Sequence, residues 1–262
     1  MNKNFLVLFF TVCTFAANAQ VFVENFETAT VGSNLEEYND WYVSPAEKDG
    51  NQEGVSPVIA LGPLTYKGYV GSGIGNVVVL DSSIKRRGSL KSTSLLTPTV
   101  GNSIYVAFLV KVNSQNATIK KPIELLTFNA NPNAEYSRGR AYAQYFPATN
   151  EVAFAVTKFI NKSAISTKLN TADTHLLVIK YESVDGKNND IATLYINPDL
   201  SAKESKQKNL IVKEDDTESD VVQDAELGLI IRQNGLGAQI GGIRVGTSWN
   251  EIMVAPKGKK KK

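Results

Sequence analysis

The chain reads as all-β, an antiparallel sandwich or barrel, and three observations carry that reading. Short segments alternate apolar and polar residues with period two. No stretch sustains a 3.6-residue apolar repeat. Clusters of Gly, Asn, Asp and Pro fall between the segments.

Taken in order, residues 21–26 alternate as a half-buried strand does. Residues 75–81 form a short apolar run between turn residues. Residues 104–112 place Ile104, Val106, Phe108, Val110 and Val112 on one face, with Tyr105 and Leu109 on the other. Both faces are apolar, so a central strand covered on both sides is expected. Residues 123–128, 138–146, 151–159, 175–181, 191–196, 227–232 and 240–247 complete the set. Turns are expected at 71–75, Asn131-Pro132, 147–150, Asp185-Gly186 and Asn197-Pro198, and a glycine turn at Gly241-Gly242. Residues 201–224 are dense in Lys, Glu, Asp and Ser and read as a long solvated excursion.

The N-terminus has the pattern of a secretory signal peptide. Lys3 precedes an apolar run over residues 5–17, and Ala17-Asn18-Ala19 is a small-x-small cleavage site before Gln20. The run is too short to span a bilayer. A secreted or periplasmic location is expected, with residues 1–19 removed, 20–254 as one domain and 255–262 as a lysine-rich tail. Cys13 is the single cysteine and lies in the leader, so neither disulfide nor thiolate chemistry is expected of the mature chain. With Lys3 and the five tail lysines set aside, the 28 basic residues fall to 22 against 26 acidic ones. From its composition the tail is expected to be disordered and suited to anionic surfaces, or simply a solvated end.

Several stretches resemble a known group in their order and spacing. They are residues 22–26, 31–35 with Trp41, 64–69, 73–80, 175–181 and 189–198. To these is added the strand Ile243-Arg244-Val245, which closes on Gly246-Thr247-Ser248-Trp249. Together they look like the β-sandwich modules of secreted Bacteroidetes proteins in the concanavalin A-like lectin/laminin-G group. The resemblance implies a two-sheet jelly roll and a role in contacting glycans or surface polymers. Calcium is often bound in that group. Those modules commonly sit within larger proteins ahead of a sorting domain, whereas here only the lysine tail follows.

Candidate chemistry is sparse. Glu214-Asp-Asp216-Thr-Glu218 matches the E-x-D-x-E signature of laminarinase-like glycosidases, in which two carboxylates act as nucleophile and acid/base. The intervening Asp215 and Thr217 are polar where a strand of such a site would be apolar, so a charged loop is expected. His175 is the one histidine, and no G-x-S-x-G accompanies it, so a structural role at a strand edge is expected. One histidine without cysteine does not supply a zinc site. Asp49-Gly-Asn51-Gln-Glu53-Gly54 is like the first half of a calcium loop but lacks the closing glutamate, Ala60 standing there. Residues 185–190 are a second oxygen-rich turn. Ordinary turns account for both, so no metal site is assigned and calcium stays open. Residues 71–75 lack dinucleotide-binding glycine spacing, and no basic stripe points to nucleic acid.

The best binding surface is a strand face. Tyr136, Arg138, Arg140, Tyr142 and Gln144 alternate onto one side. Tyrosine rings suit the C–H faces of sugars, and Arg and Gln suit their hydroxyls. An outward polar face of an edge strand would look the same. Trp41 and Trp249 read as packing residues. The expected protein is a secreted, non-enzymatic module for glycan or surface-polymer contact. A structural or adhesive domain with protein or matrix partners is the alternative, and a glycosidase using Glu214 and Glu218 the third.

Overall fold

The computed structural model describes residues 22–43, 55–83, 87–92, 98–130, 137–161, 164–221 and 227–254. The leader, the Asp49–Gly54 turn, Tyr136 and the tail lie outside them. Fifteen strands among the described residues form two antiparallel sheets, a jelly-roll sandwich. The eight-stranded sheet holds β1 (Phe22–Glu24), β3 (Val58–Ala60), β4 (Val77–Leu80), β6 (Ser103–Gln115), β11 (His175–Glu182), β12 (Ile191–Ile196), β13 (Leu210–Glu214) and β15 (Leu236–Gly246). The seven-stranded sheet runs β10 (Leu169–Asn170), β9 (Glu151–Thr157), β8 (Ser137–Phe146), β7 (Ile123–Ala130), β14 (Leu227–Gln233), β5 (Arg87–Ser92), β2 (Tyr42–Val43). No helix among the described residues is long and apolar enough to cross a membrane.

The central strand expected over residues 104–112 is β6, hydrogen-bonded to β11 on one side and β15 on the other. Its even residues Ile104, Val106, Phe108, Val110 and Val112 enter the core between the sheets, against Leu125, Phe128, Phe154 and Val156. Its odd residues Tyr105, Ala107 and Leu109 enter a second apolar layer on the opposite face, with Leu176, Val178, Tyr195 and Trp249. Each fully buried large apolar side chain contributes about 1.5–3 kcal/mol, so both faces of this strand stabilise the fold.

The second layer exists because the chain turns back after β15. Gly246-Thr247-Ser248-Trp249 is a helix start. Ser248 Oγ accepts from the Glu251 N–H, and Glu251 Oε2 accepts from the Thr247 and Ser248 N–H groups at 2.8 and 3.1 Å. This capping box opens α1 (Trp249–Met253), which lays Trp249, Ile252 and Met253 over the sheet. A Cβ at Gly246 would sit 3.0 Å from Glu251 Oε2, so the glycine makes room for the box.

Three expectations change. Gly241-Gly242 is a bulge inside the continuous β15, where the register against β6 shifts between Gly241 and Arg244. Gly242 has φ +58°, and a Cβ there would lie 2.4 Å from the Gly71 carbonyl oxygen. The bulge lets β4 and β1 pair in turn along one edge of β15. The excursion at 201–224 is partly structured, since β13 adds an edge strand to β12. Finally β2, β3, β5, β10 and β13 were not legible as strands, being short or lacking an apolar alternation.

Candidate functional site

The row expected on β8 is only partly formed. Arg140, Tyr142 and Gln144 share the face turned away from the core, because Ala141 and Ala143 between them face inward. Arg138 leaves the row. Gly139 has φ +56°, and the register against β7 shifts there, so Arg138 stands opposite the core residue Phe128. Its guanidinium, buried at 2% exposure, donates to the carbonyl and hydroxyl oxygens of Ser219 at 2.9 and 2.7 Å. It also stacks on Phe159, 3.7 Å from the ring centroid. Arg138 therefore ties the sheet to the 215–221 segment.

Two residues outside the sequence-derived set complete the outer face. Glu124 on β7 lies opposite Tyr142 and carries two arginines. Arg232 Nε on β14 meets Glu124 Oε1 at 2.6 Å, and Arg140 Nη1 meets Oε2 at 3.3 Å. The Ser137 carbonyl accepts from Arg140 Nε at 3.3 Å, and its hydroxyl oxygen accepts from Arg232 Nη2 at 3.4 Å. The signal for both was a charge placed within an apolar strand. Burial, then Glu124, pushes the Tyr142 phenol up to about 12, so it stays a donor at neutral pH. Burial lowers the Arg232 guanidinium to about 10, which leaves it charged. Tyr142, Glu124 and Arg232 are buried, whereas Arg140 and Gln144 remain half-buried. Gln144 donates to the Lys120 carbonyl at 3.1 Å.

The E-x-D-x-E carboxylates have different fates. Glu214 ends the exposed edge strand β13. Glu218 is buried, and its oxygens accept from the backbone N–H groups of Phe159, Ile160 and Asn161. That is a staple between two segments. Lys158, fully buried, reinforces it through Asp220 Oδ1 at 2.7 Å and the Asp215 carbonyl at 3.1 Å.

His175 is buried as expected of a structural residue. Nε2 lies 2.9 Å from the Asn170 carbonyl, and Nδ1 lies 3.1 Å from Asn197 Nδ2. Asn197 Oδ1 accepts from the Leu176 N–H, which turns the amide nitrogen toward the ring. Nδ1 must then be the acceptor and Nε2 the donor, a neutral imidazole. Burial lowers its pKa accordingly.

In the 185–190 turn, Asp190 and the Asp185 carbonyl accept from the protein's own N–H groups. Asp190 accepts from the Val184 and Val221 N–H groups at 2.8 and 3.3 Å, and the Asp185 carbonyl accepts from the Asn189 amide at 2.6 Å. Among the described residues no three His, Cys, Asp or Glu side chains assemble as a metal-binding group.

Two depressions mark the outer face of the eight-stranded sheet. One of about 610 Å³ lies beside Asn102, Ser103, Tyr105, Glu204 and Trp249. One of about 400 Å³ lies beside Lys180, Tyr195, Glu204 and Val212.

No protein-family model matches the chain, and no curated protein does. Among solved structures, similar ones are jelly-roll and lectin-like proteins. The receptor-binding domain of botulinum neurotoxin D shares 12% identity at a TM-score of 0.39, over 77% of this chain. This chain spans about half of that structure's length, 46%. The catalytic domain of a glycoside hydrolase family 131 protein from Coprinopsis cinerea shares 8% at 0.46, over 88% of this chain and 95% of that one. The seed lectin of Lotus tetragonolobus shares 11% at 0.35, over 82% and 100%.

Proposed function

We propose that this chain is a secreted, non-enzymatic module that contacts a glycan or surface polymer through Arg140, Tyr142 and Gln144, beside Glu124 and Arg232. The observation that carries this reading is Arg140. Its guanidinium is fixed by the Ser137 carbonyl and the Glu124 carboxylate while 17% of the side chain stays exposed. A guanidinium has five N–H donors in a planar fork, more than these partners take. Two arginines around one glutamate leave net positive charge, which favours a polymer bearing acidic groups. The engagement of Glu218 with three amides supports a non-catalytic role. Secretion rests on the leader pattern, and intact mass of exported protein beginning at Gln20 checks it.

The test is an array of acidic and neutral glycans probed with and without calcium. Arg140→Ala and Gln144→Ala should each weaken binding by at least about 1 kcal/mol at an unchanged melting temperature. A structural or adhesive role is the second reading, favoured by the burial of Tyr142, Glu124 and Arg232. An array without signal from any glycan decides for it.

A further inference from the structure

A separate surface offers a different chemistry. Tyr105 on β6 stands opposite Lys180 on β11, and Tyr195 lies on the next strand, β12. All three reach outward to one carboxylate, Glu204, carried over the sheet by the single 3-10 turn Glu204–Lys206. The Tyr105 hydroxyl donates to Oε2 at 2.9 Å, and the Tyr195 hydroxyl donates to Oε1 at 2.7 Å. Lys180 Nζ lies 3.3 Å from Oε1 and 2.8 Å from Glu182 Oε2. Burial and the nearby Glu204 push the Tyr105 phenol up to about 12, and burial raises that of Tyr195 as well. Both therefore remain donors, and the carboxylate is held in one position.

Glu204 is not sealed by this clamp. Its side chain keeps 25% of its surface exposed, and it borders both depressions on this face, as does Ser205. A carboxylate offers about four acceptor positions. Three are taken here, which leaves one acceptor position on a carboxylate already held in place. Around it are the amides of Asn102 and Asn250, the hydroxyls of Ser103 and Ser248, and Trp249, whose ring meets Tyr195 edge-on at 5.0 Å. Charges balance locally, with Glu182 and Glu204 against Lys180 and Lys203. Neither an anion nor a cation is favoured by such a surface. A hydroxyl-rich neutral chain is, because fixed acceptors, amides and an aromatic edge are the groups that recognise polyols.

We propose that the groove on both sides of Glu204 binds a neutral oligosaccharide, independently of the Arg140 row. The test is isothermal titration of the full chain with a panel of neutral hexasaccharides, namely β-glucan, mannan and xylan fragments, and with a hexauronate as the charged counterpart. At least one neutral hexasaccharide should bind saturably. Ser205→Trp, an exposed position outside both sheets, should abolish that binding without lowering the melting temperature. Glu204→Gln should weaken it about tenfold. Failure of every neutral hexasaccharide to bind overturns the proposal. So does neutral binding that survives Ser205→Trp and disappears in Arg140→Ala, which would assign the ligand to the other sheet.

Discussion

Lys158 offers a direct test of how the 215–221 segment is held. The ammonium is fully buried and meets Asp220 Oδ1 at 2.7 Å, with Asp220 itself 15% exposed. Lys158→Met keeps the length of the side chain and removes the charge. Asp220 would retain the Asn189 and Asp190 N–H groups at 3.2 and 2.9 Å, but its charge would lose its counter-ion. Removing one partner of a buried pair costs about 3–5 kcal/mol, and the retained amides place this case near the lower end, about 3. For a domain of this size that is a fall of roughly 6–12 °C in melting temperature. Lys158→Met with Asp220→Asn removes both charges and should recover to within about 1 kcal/mol of wild type. Thermal unfolding by circular dichroism at neutral pH reads both. The pH limb adds a second reading. Burial alone would raise the Asp220 carboxyl, but Lys158 and the two amides outweigh it and hold it below 3.8. A depressed folded-state pKa means stability that is present above pH 3.8 and lost as pH falls through the folded value. The single variant should show a weaker acid limb. A Lys158→Met melting curve within about 0.5 kcal/mol of wild type would refute the reasoning.

His175 is the one histidine, so its imidazole gives a single titrating NMR signal. Its midpoint should fall below 6.5, and stability should decline as pH drops below that value, because the unfolded chain takes the proton first. Asn197→Asp puts an anionic acceptor beside Nδ1 and should move the midpoint upward; no change would contradict the contact between residue 197 and the ring. Gly242→Ala combines φ +58° with a Cβ 2.4 Å from the Gly71 oxygen, so it should cost at least about 2 kcal/mol in urea unfolding. Tyr142→Ala, at 5% exposure, should lower stability as well as any glycan affinity, by about 3 kcal/mol. An unchanged urea midpoint would place that ring outside the packed face.

The strands that were readable are those whose neighbours are regular sheet. β6, β11 and β12 lie side by side, and their apolar periodicity states which faces are covered. β13 was lost in a charged stretch because it is an edge, with Leu210 and Val212 exposed, Ile211 alone packed against the core, and Lys213 and Glu214 closing it. β5 carries Arg87-Gly-Ser-Leu-Lys-Ser92, a pattern without alternation. The row on β8 was read by counting in twos, and the count fails at Gly139 because a left-handed residue inserts a bulge that no periodicity records. Glu124 and Arg232 lie 108 positions apart in sequence, so their pairing becomes visible only once β14 is laid beside β7. Glu218 looked like a member of a catalytic motif, but the amides it binds belong to a loop nearly sixty residues earlier.

The bulge at Gly241-Gly242 has a bearing on how the chain comes to be folded. By stepping β15 sideways it opens a slot for β1, so Phe22 pairs with Val245 and the first described strand rests on the last. β15 also supplies the neighbour of β6 at the sheet's centre. The eight-stranded sheet is therefore incomplete until nearly all of the chain has emerged from the ribosome. Such a topology, dominated by distant pairings, folds slowly. Any truncation that removes β15 takes from β1 its pairing strand and from β4 and β6 one of their two neighbours at once, leaving β3 on β4 and β11 on β6.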